Sequence, residues 1–524
     1  MEFNLSTETL DLLKGLRKDV TTQGLSIATN LNFYFLEPQA KNIYPVFYPL
    51  LASIPRVNPM FNGQRVGGTG VNWKSIVGID AGGYPSLSEG NRNAPMDITE
   101  RDAYSAFKFL GKDTEVSFQA EQTGLGFEDN IALAQLSLLN ALLNDEERLI
   151  LYGNSGPTAN GGNNGYKLGQ CTTPVDAALT TGGTIGTGVS VTVYCVALTP
   201  WGVQLASTTG VRLPFKRVNA DGSTDIINGG TSILSAIGNT VVTASNSASV
   251  TATLPLGAAI QGAVGYAWYV SGSGSPTTAN AYFYNVTAWP SVVITALPPN
   301  TNQAANAVDS GSSLGLATDN SYNNLDFDGL LTWTFNYASA STPSYWKDFN
   351  GAGFTAIGDG SILEFENVID FLWLNYKITI DKIYCGGNLI TAISHAILGS
   401  SAGGEAASRL LFNSDAAGRL IGGTKVVGYR SKYSGTGVAK EVDVVTHPWL
   451  PPGVVFFDLI NNPYPSAGNS IPSVRRIMSL EDHFSIKWPY RKLQHELGVY
   501  CFETLQNYIP FGFAVLTGLA AKVN

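Results

Sequence analysis

"GFEDNIALAQLSLLNALLNDEERLILYGNSGPTANGG", Gly126 to Gly162, reads as one long helix that breaks into a glycine-rich run. Glu128 and Asp129 stand in its first turn, where acids suit the positive end of the helix dipole. Alanine and leucine dominate the middle, which favours helix. Gly153 and Gly156-Pro157 stop it. The pattern spans about 26 residues, or about 39 Å at 1.5 Å rise per residue, against a mean helix of about 11–12 residues. Almost no helical pattern recurs over the next ~170 residues.

The totals restrict what such a rod can serve. At 524 residues the chain can bury a full core, and the length suggests roughly two to four domains. The formal net charge is -9, so there is no basic surplus to neutralise phosphates and no sign of specific nucleic-acid binding. Charged residues make up only 14%, against about 25% in ordinary soluble proteins. With 57 glycines and ordinary hydrophobic content, the chain is folded, and its low charge tilts towards a surface covered by neighbouring subunits. Cys171, Cys195, Cys385 and Cys501 show no CxxC spacing, so no zinc or redox motif is indicated and buried thiols in a reducing cytosol are expected. The N-terminus lacks the apolar region of a signal peptide, and no window holds 18 apolar residues, so no membrane span is expected.

Outward from the rod, the chain divides by pattern. Ser6 can cap a short helix carrying Leu10, Leu13 and Leu16. In LNFYFLEPQAKNIYPVFYPLLASIPRVNP, the prolines Pro38, Pro45, Pro49, Pro55 and Pro59 exclude a long helix and predict an extended arm. VNWKSIVGI (71–79) and AYSAFKFLGKDTEVSF (103–118) read as the strands of a long hairpin. Such a hairpin is marginal alone in water, so it should lie on a neighbour. From Cys171 to about Asn320 charges become sparse, and the runs VSVTVYCVAL, TVVTA, ASVTATLPL, YAWYV, AYFYNVTA and SVVITAL predict an all-β sandwich. YCVALTPWG with AVGYAWYV resembles an immunoglobulin-like or fibronectin-like module. Mixed α/β pattern then returns: helices over 361–377 and 388–399, strands in ITIDKIYC, KVVGYRS, EVDVVTHP and GVVFFDLI, and long strands over 484–519. The all-β block therefore reads as an insertion into one α/β body.

Catalytic patterns fail one by one. Gly399-Ser400-Ser401-Ala402-Gly403 matches GxSxG, but a helix precedes it where the nucleophile turn needs a strand. His395 and His447 are available as bases without a placed nucleophile. His495-Glu496 lacks the second histidine of HExxH. Gly186-Thr187-Gly188 precedes a strand rather than a helix, and no P-loop pattern occurs. NADGSTD (219–225) and LDFDG (325–329) lack the calcium-loop ligand pattern and read as turns. Asn285-Val286-Thr287 is a sequon without a signal peptide. Asp145-Glu146-Glu147-Arg148 puts acids in the last turns of the rod, against the dipole. They form a solvated face or meet basic groups of another segment or subunit. No catalytic, cofactor-binding or metal-binding residue is assigned, and no cofactor is expected.

The order of parts carries a resemblance. LEPQAKNIYPVFYPLLASIPRV looks like the arm, Trp73–Gln119 like the extended E-loop, and Phe127–Tyr152 with DEERLILYGN like the spine helix. VVTHPWLPPGVVFFDL with FETLQNYIPFGFAVLTGL looks like the axial domain leading back to the peripheral domain. In this order the chain resembles the major capsid protein of tailed bacteriophages, the Hong Kong 97-like fold, over about two thirds of its length. The resemblance implies an α+β fold with an arm at 1–70, an E-loop hairpin and base at 71–120, and the spine helix opening the peripheral domain at 121–170. It implies an immunoglobulin-like insertion at 171–320, an axial domain at 321–475 and returning peripheral strands at 476–524. The implied function is self-assembly, through hexamers and pentamers, into an icosahedral head around double-stranded DNA. The implied location is the virion, after synthesis in a host bacterial cytoplasm. Its partners would be other copies of itself, a portal, a separate scaffold protein and decoration proteins. The short stretch before the hairpin argues for the separate scaffold. Lys74, Lys108 and Lys112 sit towards the hairpin base, and the tip from Tyr84 to Ile98 holds only Arg92, so covalent cross-linking of subunits is not expected. Two rivals are an encapsulin shell, which shares the fold, and a surface adhesin or tail-associated protein using the sandwich.

Overall fold

The computed structural model describes residues 48–521 except 62–63, 66, 80–85, 87, 93–97, 125–128, 158–164, 256–258, 341, 358–360, 399–412, 415–419, 422–425, 434–439, 465–470, 472 and 491. The Ser6 helix and most of the proline-rich arm lie outside the described residues.

The rod is a helix of 23 residues, Asn130–Tyr152. Asp129 caps it, its carboxylate accepting from the Ile131 and Ala132 backbone N–H groups, so the helix starts just after the acids that announce it. Leu138, Leu142, Glu146 and Ile150, four apart, form its buried row. That row lies on a four-stranded sheet ordered Arg56–Val57, Arg475–Lys487, Gln494–Asn507, Lys108–Ser117, where Leu138 and Leu142 pack with Val499 and Cys501. At its end Gly153 and Gly329 let two backbones cross closely: a Cβ on Gly153 would meet the Phe327 carbonyl, and one on Gly329 the Leu149 carbonyl.

The hairpin differs from its sequence reading at one point. Gly70–Ile79 pairs with Ile98–Ala106, from Gly70 opposite Ala106 to Ile79 opposite Ile98. Lys108–Ser117 is a separate strand, antiparallel to Gln494–Asn507. The apparent single strand over 103–118 therefore changes partners at Phe107. A change of partner leaves no mark on composition, because both halves keep strand propensity.

A mixed six-stranded sheet forms the second part of the body, ordered Tyr345–Asp348, Ala514–Thr517, Val455–Asp458, Lys382–Cys385, Lys440–Thr446, Gly428–Ser431. Val455–Asp458 and Ala514–Thr517 are buried throughout. Helices Leu330–Tyr337, Leu363–Tyr376 and Leu389–Leu398 accompany it.

Between the long helix and this sheet lie two antiparallel sheets. One is ordered Val241–Val242, Ser190–Leu198, Gly265–Ser271, Tyr282–Thr287, and the other Ser291–Ile294, Ser249–Thr253, Val175–Leu179. Val191, Val193 and Cys195 face Val250, Ala252 and Ile294 in the layer between them. The reverse face of the larger sheet is also covered, with Tyr194, Val196, Tyr269 and Phe283 packed under Val211 and Leu316. Burial on both faces explains the near-continuous apolar runs of these strands. The block's two ends meet: Gly169 N–H donates to Asp319, and Leu168 N–H to the Ser321 hydroxyl. The sandwich core is nevertheless continuous with that of the body, through contacts such as Tyr166 against Phe335 at 5.6 Å and Tyr152 against Trp201 at 6.0 Å.

Candidate functional site

Two features of the described chain stand out: the hairpin, and the junction where the acids of the long helix meet distant segments of the same chain.

Among the described residues the hairpin is anchored at its base. Trp73 and Ala103 are buried against Trp333, the Trp73 indole N–H donates to the Asn507 carbonyl at 3.1 Å, and the Ser75 hydroxyl donates to the Tyr508 carbonyl at 3.2 Å. Further out, Ile76 and Ile98 are 61% and 48% exposed. Among the described residues their strands pair with no third strand. Lys74 is tied across the hairpin to Glu100 and Asp102. Lys108 donates to the Asn324 carbonyl, and Lys112 pairs with Asp145 at 2.6 Å. The sheet face turned away from the long helix is aromatic: Phe109, 58% exposed, stacks on Tyr500 at 5.3 Å beside Phe484 and Phe502.

At the junction, the acids of Asp145-Glu146-Glu147-Arg148 meet other segments of the same chain. Glu147 is fully buried; its carboxylate accepts from the Leu50 and Leu51 backbone N–H groups at 2.9 and 2.7 Å and bonds His447 Nε2 at 2.8 Å. Glu146, equally buried, bonds His483 Nε2 at 2.9 Å and pairs with Arg56. Arg56 also reaches Glu503 at 2.6 Å and Asp482 at 3.1 Å. Arg56 is held above its ordinary range: burial works against its charge, and the Glu503, Glu146 and Asp482 carboxylates outweigh it. Burial pushes Glu503 up, and the neighbouring Glu146 charge adds to the effect. Asp145 and Arg148 stay nearer the surface, with the Arg148 guanidinium 3.8 Å from the Trp449 ring centroid. These long-range partners were not readable from the sequence. The solvated-face reading fails for Glu146 and Glu147, both fully buried; the signal that could have found Glu146 is its spacing, four residues after Leu142 and eight after Leu138, on the buried row.

The remaining candidates are occupied structurally. The GxSxG serines lie outside the described residues; His395 is exposed on its helix, and His447 is bound to Glu147. His495 bonds Glu121 and packs on Phe118. Gly186-Thr187-Gly188 forms the turn before Ser190–Leu198, with Gly188 at φ +74°. NADGSTD joins Phe215–Val218 to Thr224–Ile227, where Asp225 holds Arg217 and Asp221 accepts from Ser223. In LDFDG, Asp328 accepts from the Ser155 N–H and hydroxyl, and burial pushes Asp326 up to about 7. Asn285 lies in a strand opposite Trp268. All four cysteines are buried and none forms a disulfide. No helix among the described residues is long and apolar enough to cross a membrane.

No family model and no curated protein matches the sequence. Among solved structures the chain is similar to the capsid of the cyanophage A-1(L), at 8% identity and TM-score 0.39 over 94% of this chain and 98% of that one. It is similar to the capsid of the myovirus phage XM1, at 9% and 0.37 over 95% and 100%. It is also similar to the SrpI encapsulin of Synechococcus elongatus, at 8% and 0.35 over 94% of this chain and 95% of that one. Overlap this loose fixes neither topology nor activity.

Proposed function

We propose that the chain is a shell-forming subunit, the major capsid protein of a tailed bacteriophage with the Hong Kong 97-like arrangement. The observation that carries this reading is the hairpin: two strands of ten and nine residues, fixed at the base and paired outward only with each other. An isolated two-stranded ribbon is marginal in water, and its exposed Ile76 and Ile98 gain a partner when the loop lies on a neighbouring copy. The exposed aromatic face around Phe109 is a second surface that a neighbour would cover.

In this reading the long helix is the spar of a flat peripheral domain, the six-stranded sheet is the axial domain, and Thr172–Asp319 is an immunoglobulin-like insertion facing outward. Copies close into hexamers and pentamers around double-stranded DNA, guided by a separate scaffold and fitted with a portal and decoration proteins. A net charge of -9 suits a wall that contains DNA without gripping it. The subunit does no chemistry, and its location is the virion head after synthesis in the host cytoplasm.

Electron microscopy of the expressed full chain tests the reading: closed or sheet-like shells are expected. A strict monomer at high concentration, with hairpin amides as protected from exchange as the core, would sink it. Particles purified from infected cells should hold DNA; a shell around protein cargo would instead favour the encapsulin reading.

A further inference from the structure

We propose that Glu146, His483 and Cys501, with Glu503, form a binding site for a transition-metal dication of the zinc class, joining the long helix to the two long strands beneath it. The His483 Nε2, a Glu146 carboxylate oxygen and the Cys501 sulfur lie within 4.8 Å of one another. Ligands around tetrahedral zinc stand roughly 3.3–3.7 Å apart, given bonds of about 2.0–2.3 Å, so seating the ion opens the 2.9 Å contact between His483 and Glu146 slightly and draws the Cys501 sulfur in. Nitrogen, sulfur and carboxylate oxygen are the donor types that zinc takes.

An independent observation points to a missing positive group. Glu503 follows Cys501 by two positions on the same strand, so the two side chains share a face. Glu503 is fully buried; one carboxylate oxygen binds Arg56, and the other is a buried acceptor with no donor. Its carboxyl stands against that of Glu146. An acceptor cannot satisfy an acceptor, so a proton or a cation must come between them. The buried carboxylates of Glu146 and Glu503 share the one guanidinium of Arg56, which also reaches the exposed Asp482. A dication that displaces the Cys501 proton adds a net positive charge where these buried carboxylates crowd together.

The local backbone fits a built site. The pairing of Arg475–Lys487 with Gln494–Asn507 slips between Ser479 and Glu481 and again between Glu481 and Phe484. These bulges redirect His483 towards the helix. The site rests on side chains from 146, 483, 501 and 503, which explains why no sequence spacing announced it. It is independent of the shell reading, since it lies within one chain.

The test is metal binding by the full chain. Chelator-treated protein is titrated with zinc against a chromophoric indicator, and separately with cobalt, whose thiolate complexes show a near-ultraviolet charge-transfer band. About one zinc per chain and a clear cobalt–thiolate band are expected. Cys501→Ser should abolish the band, and His483→Gln should weaken zinc binding by at least the roughly 10–100-fold that loss of an outer-shell partner costs while leaving the band at saturating cobalt. Cys385→Ser should change neither. No zinc bound by the wild-type chain, no band in it, or a band that survives Cys501→Ser would overturn the site. The wild-type spectrum decides even if a variant fails to fold.

Discussion

Glu147 satisfies two backbone N–H groups and one imidazole in a place water does not reach. Truncation to alanine strands all three, at a cost of about 1–3 kcal/mol for each buried group left without a partner. Urea unfolding of unassembled Glu147→Ala subunits should show a loss of that size, and a change below about 1 kcal/mol would mean the contact is not made. Asp176 acts in the opposite sense. Its carboxylate accepts from the Val193 N–H, but its other oxygen has no partner, and burial raises it from 3.8 to about 7. The folded state therefore holds the proton more tightly than the unfolded state does. The stability this contributes is complete below pH 3.8 and is lost as pH rises through about 7. Asp176→Asn keeps an acceptor for Val193 and removes the ionisation. Thermal unfolding from pH 4 to 8 should be flatter in this variant, with a gain of about 2–4 kcal/mol at pH 8. Equal slopes in variant and wild type would refute the burial argument.

At the scale of elements, what was legible followed local pattern and what was missed followed partnership. The long helix, the strand runs over 189–198 and 266–270, and the helix over 363–376 each carry their own periodicity or β-branched content, and each is present. The split at Phe107 was invisible because both halves are good strands. Strands Val175–Leu179, Phe215–Val218 and Thr224–Ile227 were missed because they are short and half-polar, held by pairing rather than composition. The metal-type cluster was missed because its ligands come from three elements, and CxxC spacing finds only ligands adjacent in sequence. The hairpin carries the element-scale predictions. Trp73→Ala removes an indole that packs on Trp333 at 5.9 Å and donates to Asn507, a loss of about 3–5 kcal/mol. Hydrogen exchange should then speed up through Gly70–Ala106 while the long strands stay protected. Replacing Gly82–Thr99 with a short turn leaves the buried Trp73 and Ala103 in place. If the chain forms shells as proposed, folded subunits that fail to form stable shells are expected; shells of wild-type stability would show that the hairpin makes no contact between copies.

At the scale of the whole molecule, the all-β block presents two conflicting signals. Its ends meet at Gly169–Asp319 and Leu168–Ser321, the geometry that lets an inserted unit be removed without stretching its host. Sequence reasoning takes this further, because a sandwich with a private core of about 100 residues should be dispensable. The core here is not private. Tyr166 lies on Phe335, Trp201 on Tyr152, Gln204 donates to the Trp449 carbonyl and Gln261 to the Phe335 carbonyl. Trp268, Val264, Tyr166, Leu331 and Phe335 belong to one buried cluster that spans the block and the body. Removing Thr172–Asp319 would close the backbone easily but open an apolar face on the body, at about 25 cal/mol per Å² of surface returned to water. The deletion variant joined by a flexible linker should therefore give poor soluble yield and bind a hydrophobic dye. Point changes confined to the free side of the block, such as Val218→Thr at an exposed hairpin position, should leave folding and particle formation unchanged. Smooth-walled particles of normal diameter from the deletion, at wild-type yield, would show that the shared core is not needed and that the block is a passenger on the wall.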